Sequence, residues 1–189
     1  MFAPYAAQID LFTGKIGVPA IPYTRRLSDL KGFAADEAAL QQMIEQDDQI
    51  VYEVYELRTP EESGHLHACT TIIHPGKIGD EYFFTKGHFH ERRGTAEIYT
   101  CLSGEGYLLL LSPEGETQGI HMTPGTCAYI PPYWAHRTVN CGKTDFVFYG
   151  VWFADGGHDY GTIKDRGFSK ILVERDGRPA LVDNPKWAK

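Results

Sequence analysis

Thr85-Lys86-Gly87-His88-Phe89-His90, with Ala96-Glu97-Ile98-Tyr99 beginning six positions further on, is the stretch on which the reading of this chain turns. In a strand, residues two apart share a face, so His88 and His90 are expected to point the same way. Glu97 is expected to face inward from the next strand with Tyr99 beside it. A third imidazole, His136, follows Pro131-Pro132-Tyr133-Trp134-Ala135. Three imidazoles and one carboxylate can surround a divalent ion and leave positions open for water or substrate. An HxH pair alone is often a surface accident, so its meaning depends on the strands around it.

Those strands are legible as short β-branched and aromatic runs at 51–57, 68–74, 81–85, 96–102, 106–111, 118–122, 126–130, 136–140 and 145–153. Turn signals separate them, among them Pro75-Gly76, Ser103-Gly104, Pro124-Gly125 and Cys141-Gly142. Many short strands at such spacing predict an all-β sandwich or barrel. Upstream, Asp36-Glu37 opens the one expected helix, with Asp36 as N-cap and Leu40, Met43 and Ile44 at helical spacing. Residues 1–35 show no clear period. Beyond 160, one late strand is expected at 170–174, then a polar end with Pro185 and Trp187. No repeat or linker divides the chain. We therefore expect a single domain over 1–189, with an N-terminal extension (1–50), a barrel core (51–160) and a C-terminal strand and tail (161–189).

The 189 residues, 42% apolar and 23% charged, suit one soluble domain. The formal net charge of -7 argues against a nucleic-acid surface. No run approaches the ~20 apolar residues of a membrane span. The N-terminus lacks a basic start followed by an apolar stretch, so a cytoplasmic protein is expected. Cys69, Cys101, Cys127 and Cys141 are scattered, and free thiols are expected there. His65-x-His67 is a second HxH, but no glutamate follows it at suitable spacing, and it is read as a solvated loop.

Spacing around the first histidines carries a resemblance. Glu97 precedes Gly104 by six intervening residues, and Gly125, Pro131, His136 and Asn140 follow in the order of a second motif. This pattern resembles the cupin superfamily, which implies an antiparallel, jelly-roll-like β-barrel whose metal ligands are His88, His90, Glu97 and His136. The six-residue gap between His90 and Glu97, and Tyr133 where many cupins carry glycine, depart from the general pattern and point to one branch. Longer strings match that branch: Arg25-Arg26-Leu27-Ser28-Asp29, Val51-Tyr52-Glu53-Val54-Tyr55, Phe83-Phe84-Thr85-Lys86-Gly87-His88-Phe89-His90, Pro131-Pro132-Tyr133-Trp134-Ala135-His136-Arg137-Thr138-Val139-Asn140, His158-Asp159-Tyr160-Gly161-Thr162-Ile163 and Val182-Asp183-Asn184-Pro185. They resemble the cupin-type glucose-6-phosphate isomerases. Trp152-Phe153 stands where that family more usually has tyrosine and proline.

The resemblance implies an aldose–ketose isomerase interconverting glucose 6-phosphate and fructose 6-phosphate with one divalent ion per subunit. Fe2+ is expected first, with Mn2+, Ni2+, Co2+ or Zn2+ as alternatives, and a homodimer is implied. A metal that polarises the sugar oxygens stabilises an enediolate, and Glu97 is the expected base. A hydride shift in which Glu97 takes no proton stays open. His158 and Tyr160, in a loop-like string, join Glu97 and Tyr99 as catalytic candidates. Thr71, Thr85, Lys86 and Gly87 offer hydroxyls, an ammonium and an approachable backbone N–H to a phosphate, and the family's phosphate contacts map to Thr71, Thr85 and Gly87. Tyr52 and Tyr133 are candidate contacts to sugar hydroxyls. In a regular strand Thr85 and Gly87 would face away from His88 and His90, so a bend at Gly87 is expected. A non-haem metal dioxygenase and a non-enzymatic sugar-binding cupin are the competing readings.

Overall fold

The computed structural model describes residues 2–187. Its elements run β1 (Ile21–Arg26), α1 (Glu37–Gln46), β2 (Ile50–Leu57), β3 (Leu66–Ile73), β4 (Lys77–Ile78), β5 (Glu81–Tyr82), β6 (Glu97–Ser103), β7 (Gly106–Leu111), β8 (Thr117–Met122), β9 (Cys127–Ile130), β10 (Ala135–Asn140), β11 (Phe146–Phe153), α2 (Gly161–Arg166), β12 (Lys170–Arg175) and β13 (Arg178–Asp183). They build a six-stranded sheet ordered β1-β2-β3-β11-β6-β9, a three-stranded sheet β10-β7-β8 and a four-stranded sheet β13-β12-β5-β4. Every pairing is antiparallel.

Period-two alternation decides which side chains enter the barrel. In β6, Glu97, Tyr99 and Cys101 are buried while Ile98 is exposed. β10 is buried along its whole length and forms a wall between core and outer layers. Tyr99 of the large sheet meets His136 of β10 edge to face, 5.6 Å between ring centroids, which closes the barrel across the site. Phe146, Phe148, Leu108 and Ile73 fill the interior beneath it. The β6–β7 turn needs Gly104: its φ is +75°, and a Cβ there would lie 2.1 Å from the Asp145 carbonyl oxygen.

The helix begins where expected, with Asp36 Oδ1 accepting from the Ala39 N–H at 2.8 Å. Four of these elements were not foreseen: β1, β4, α2 and β13, of which β4 is only two residues long. β1 and β13 each carry a proline, Pro22 and Pro179, which demotes a run read from sequence. Both are edge strands, where a missing N–H costs the sheet nothing. α2 spans only six residues, too short to show a period. The C-terminal region thus contributes a hairpin rather than one strand, and it joins the third sheet through Val173 opposite Glu81. The N-terminal extension likewise contains a strand as well as its helix. Residues 83–90 are largely irregular, tied to β10 by the isolated bridges Phe84–Val139 and His88–His136. The reading of His65-x-His67 as a solvated loop is corrected: His67 lies in β3, 4% exposed, because that strand begins two residues earlier than expected. All four cysteines are free thiols.

Candidate metal centre and substrate pocket

One ligand atom from each of His88, His90, Glu97 and His136 falls within 4.8 Å of the others, and all four residues are buried. Glu97 Oε2 lies 3.1 Å from His90 Nε2 and 3.0 Å from His136 Nε2. The tautomer of His90 follows from its other side. Thr95 Oγ1 donates to the Arg92 carbonyl at 2.8 Å, so that hydroxyl can only accept from His90 Nδ1, 2.9 Å away. The Thr95 carbonyl accepts from the same nitrogen at 3.2 Å. His90 Nδ1 therefore carries the proton, and in the neutral ring Nε2 turns a bare lone pair toward a carboxylate oxygen.

Two lone pairs facing each other in a buried site repel unless a cation lies between them. Glu97 is itself 4% exposed, and a carboxylate buried so deeply needs positive charge beside it. His88 is held well below the usual imidazole range, first by burial and then by His136, His158 and His90, and is neutral. His88 Nε2 and both ring nitrogens of His136 are buried without hydrogen-bond partners. Orphaned buried donors of this kind, three imidazoles and an anionic carboxylate, fit a divalent ion.

Gly87 supplies the bend that brings phosphate and metal candidates together. Its φ is +74°, and a Cβ would meet Phe168 at 2.9 Å and the His136 carbonyl oxygen at 3.0 Å. The left-handed residue breaks strand parity, so Thr85, Lys86 and Gly87 line the same cavity as His88, Glu97 and His136. Tyr52, Thr71, Tyr99, His158 and Tyr160 line it too. Arg137 holds the string from behind, donating to the Lys86 carbonyl at 2.9 and 3.3 Å. Burial, then Arg25, pulls the Lys86 pKa below the ordinary lysine range.

The loop after β11 is tied to the histidine string at Asp159. Phe89 and Asp159 exchange backbone hydrogen bonds at 3.2 and 2.8 Å, and Arg93 donates to the Asp159 carboxylate at 2.5 Å. That anchoring sets His158 against His88, 4.4 Å between centroids, with Tyr160 stacked on it at 5.8 Å and 9°.

Tyr133 is a correction: it does not line this cavity. Its φ is +73° and its side chain is 59% exposed. The left-handed backbone at the Pro131–Trp134 turn throws the ring outward, and explains why glycine suits this place in other cupins. Sequence reasoning missed Glu56, Tyr23, Cys69 and Trp152 as lining residues. Glu56 and Cys69 were legible only as members of strands; Trp152 stood out as a departure from the family pattern without a location.

An antiparallel barrel with three inward histidines and one glutamate defines a cupin. Among solved structures, oxalate oxidase in complex with the substrate analogue glycolate superposes with a TM-score of 0.50 at 19% identity, over 62% of this chain and 58% of that one. The family described as Glucose-6-phosphate isomerase (GPI) matches residues 24–186, and the chain belongs to that family. It is 51% identical to the glucose-6-phosphate isomerase of Pyrococcus abyssi over 97% of both chains. It is 52% identical to that of Thermococcus kodakarensis over 97% of this chain and 96% of the relative. The protein of the same name from Sinorhizobium medicae is 43% identical over all of this chain and 90% of its own length.

Proposed function

We propose that this protein interconverts glucose 6-phosphate and fructose 6-phosphate, using a divalent ion held by His88, His90, Glu97 and His136. The observation that carries the reading is one cavity lined by His88, Glu97 and His136 of the four-ligand cluster and by the Thr85-Lys86-Gly87 string, with His90 completing the cluster in the wall behind. A divalent ion bound there supplies positive charge to the C1 and C2 oxygens as negative charge develops on them. The donor set favours no single metal among Fe2+, Mn2+, Co2+, Ni2+ and Zn2+; iron is our first expectation, in a cytoplasmic homodimer. Among the described residues no helix is long and apolar enough to cross a membrane.

The chain's own groups divide the remaining work. Thr71, Thr85, the Gly87 N–H and Lys86 receive the phosphate and fix the sugar's far end. Tyr52, Tyr160 and His158 hydrogen-bond the hydroxyls between. Glu97 takes the C2 proton and returns it to C1, giving an enediolate in passing, while Tyr99 packs beside it in the dry interior. A second route is favoured by the geometry: Glu97 Oε2 lies 3.1 and 3.0 Å from the ligand atoms of His90 and His136, and a carboxylate shared with a metal is a weak base. In that route hydrogen moves from C2 to C1 as hydride, the O2 proton passes to O1, and Glu97 only balances charge.

The test is turnover of fructose 6-phosphate by chelated protein, before and after refilling with each of the five ions. Restored activity with at least one supports the reading; activity that is untouched by chelation, or absent with all five, removes it. Repeating the reaction in D2O separates the routes, since solvent deuterium in the product requires a proton transfer and its complete absence leaves the hydride shift.

A further inference from the structure

Trp152 sits between two cavities rather than beside one. It pairs with Glu97 of β6 on one side and His67 of β3 on the other, and residues directly opposite on antiparallel strands share a face. Its indole is 5% exposed and is held edge-on by two imidazoles: His67 at 5.6 Å and 87°, His158 at 5.9 Å and 70°. On one side lies the tight substrate cavity, about 70 Å3. On the other lies a roomier cavity of about 350 Å3, whose walls include Trp152, Glu56 and His158 in common with the first.

We propose that Trp152 is the specificity-determining partition that limits this enzyme to short sugar phosphates, and that the space behind it would admit an added hydroxylated carbon if the indole were removed. This rests on the isomerase reading above. The phosphate string lines only the first cavity, so the anchored end of the substrate cannot move into the second. With phosphate and reacting carbons both fixed, a longer chain can only bow sideways, and Trp152 blocks that path. The chemistry behind it suits a polyol. Asp155 lines it, with Oδ2 engaged by Arg92 and Oδ1 buried without a hydrogen-bond partner. Glu61 and Glu91 add further acceptors, while Arg58 is engaged by Glu56 at 3.0 Å. A neutral hydroxylated segment fits that lining and a second phosphate does not.

The experiment compares unreactive polyol phosphates by calorimetry: a hexitol 6-phosphate and a heptitol 7-phosphate, on metal-loaded wild type, Trp152→Ala and Trp152→Phe. Wild type is expected to favour the hexitol by about tenfold or more, the scale of one added carbon in a filled pocket. Trp152→Ala is expected to shift the ratio about tenfold toward the heptitol, with Trp152→Phe between them. Equal affinity of wild type for both ligands overturns the partition without any variant, which keeps it testable should Trp152→Ala fail to fold. An unchanged ratio in a variant that still binds the hexitol also overturns it. Failure of wild type to bind either ligand or to turn over hexose 6-phosphates removes the isomerase reading and the partition with it.

Discussion

At the scale of single residues, Thr95 shows how a group that touches no substrate shapes the site. It is 2% exposed and fixes the tautomer of His90 through its hydroxyl and its carbonyl. Thr95→Val keeps the shape and removes the hydroxyl's share of that control. Losing such a partner typically weakens metal binding about 10–100-fold, and titration of the chelated protein with Mn2+ or Fe2+ measures it; affinity equal to wild type would show that the Thr95 carbonyl alone suffices. Lys86 gives a second prediction. Its pKa is depressed, so its positive charge is lost earlier on the alkaline side than an exposed lysine's. The KM for fructose 6-phosphate is expected to rise as pH climbs from about 7 to 10, and Lys86→Met is expected to start high and flatten that limb. Parallel profiles for the two proteins would assign the limb to another group.

At the scale of elements, Gly87 does what neither neighbouring strand can do: it breaks parity so that a phosphate string and a histidine string share one pocket. Gly87→Ala forces a Cβ against Phe168 and the His136 carbonyl and strains a left-handed backbone. The expected cost is more than about 1 kcal/mol of stability, together with a KM raised further than kcat is lowered, because the phosphate end is displaced first. Thermal unfolding and steady-state kinetics read the two effects; a variant with the wild-type melting point and KM would show that the bend tolerates a side chain. This element also shows what sequence could reveal. The conflict between face-sharing histidines and a phosphate string of opposite parity was visible in Thr85-Lys86-Gly87-His88, and glycine was the one residue able to resolve it. The helix at Asp36 was legible because its cap and apolar spacing agree. β1 and β13 were hidden by Pro22 and Pro179, whose penalty vanishes only at a sheet edge, and edges are set by the whole topology. Tyr133 was misplaced because a left-handed φ on a non-glycine residue has no local signature. The second cavity arises from three strands and three loop segments far apart in sequence, so no spacing pointed to it.

At the scale of the molecule, one buried ion pair binds the site to the rest of the fold. Arg137 of β10 is 2% exposed, lies 3.7 Å from Glu81 of β5 and stacks on Phe84 and Phe168 at 4.2 and 4.9 Å. Glu81 in turn accepts from the Ala35 N–H at 2.9 Å, so extension, hairpin sheet and phosphate string meet at this pair. Burial pushes the Glu81 carboxyl up to about 7 although Arg137 opposes it, and burial lowers Arg137 to about 10 although Glu81 opposes that. Between its ordinary 4.5 and about 7 the folded carboxyl binds more proton than the unfolded one, so this group's contribution falls as pH rises through that window and is level above it. Arg137→Met leaves Glu81 buried and unpaired, at an expected cost of about 3–5 kcal/mol near neutral pH. For a chain of this size that is roughly 6–20 °C in melting temperature. The loss is expected to shrink toward pH 5, where Glu81 becomes neutral in the variant. Arg137→Met combined with Glu81→Leu removes both charges and is expected to recover most of the melting temperature, yet not the KM, since the Lys86 carbonyl still lacks its donor. Melting curves from pH 5 to 8 on the three proteins decide the matter: a double variant no more stable than the single one would show that Arg137 acts through its packing on Phe84 and Phe168 and not through its charge.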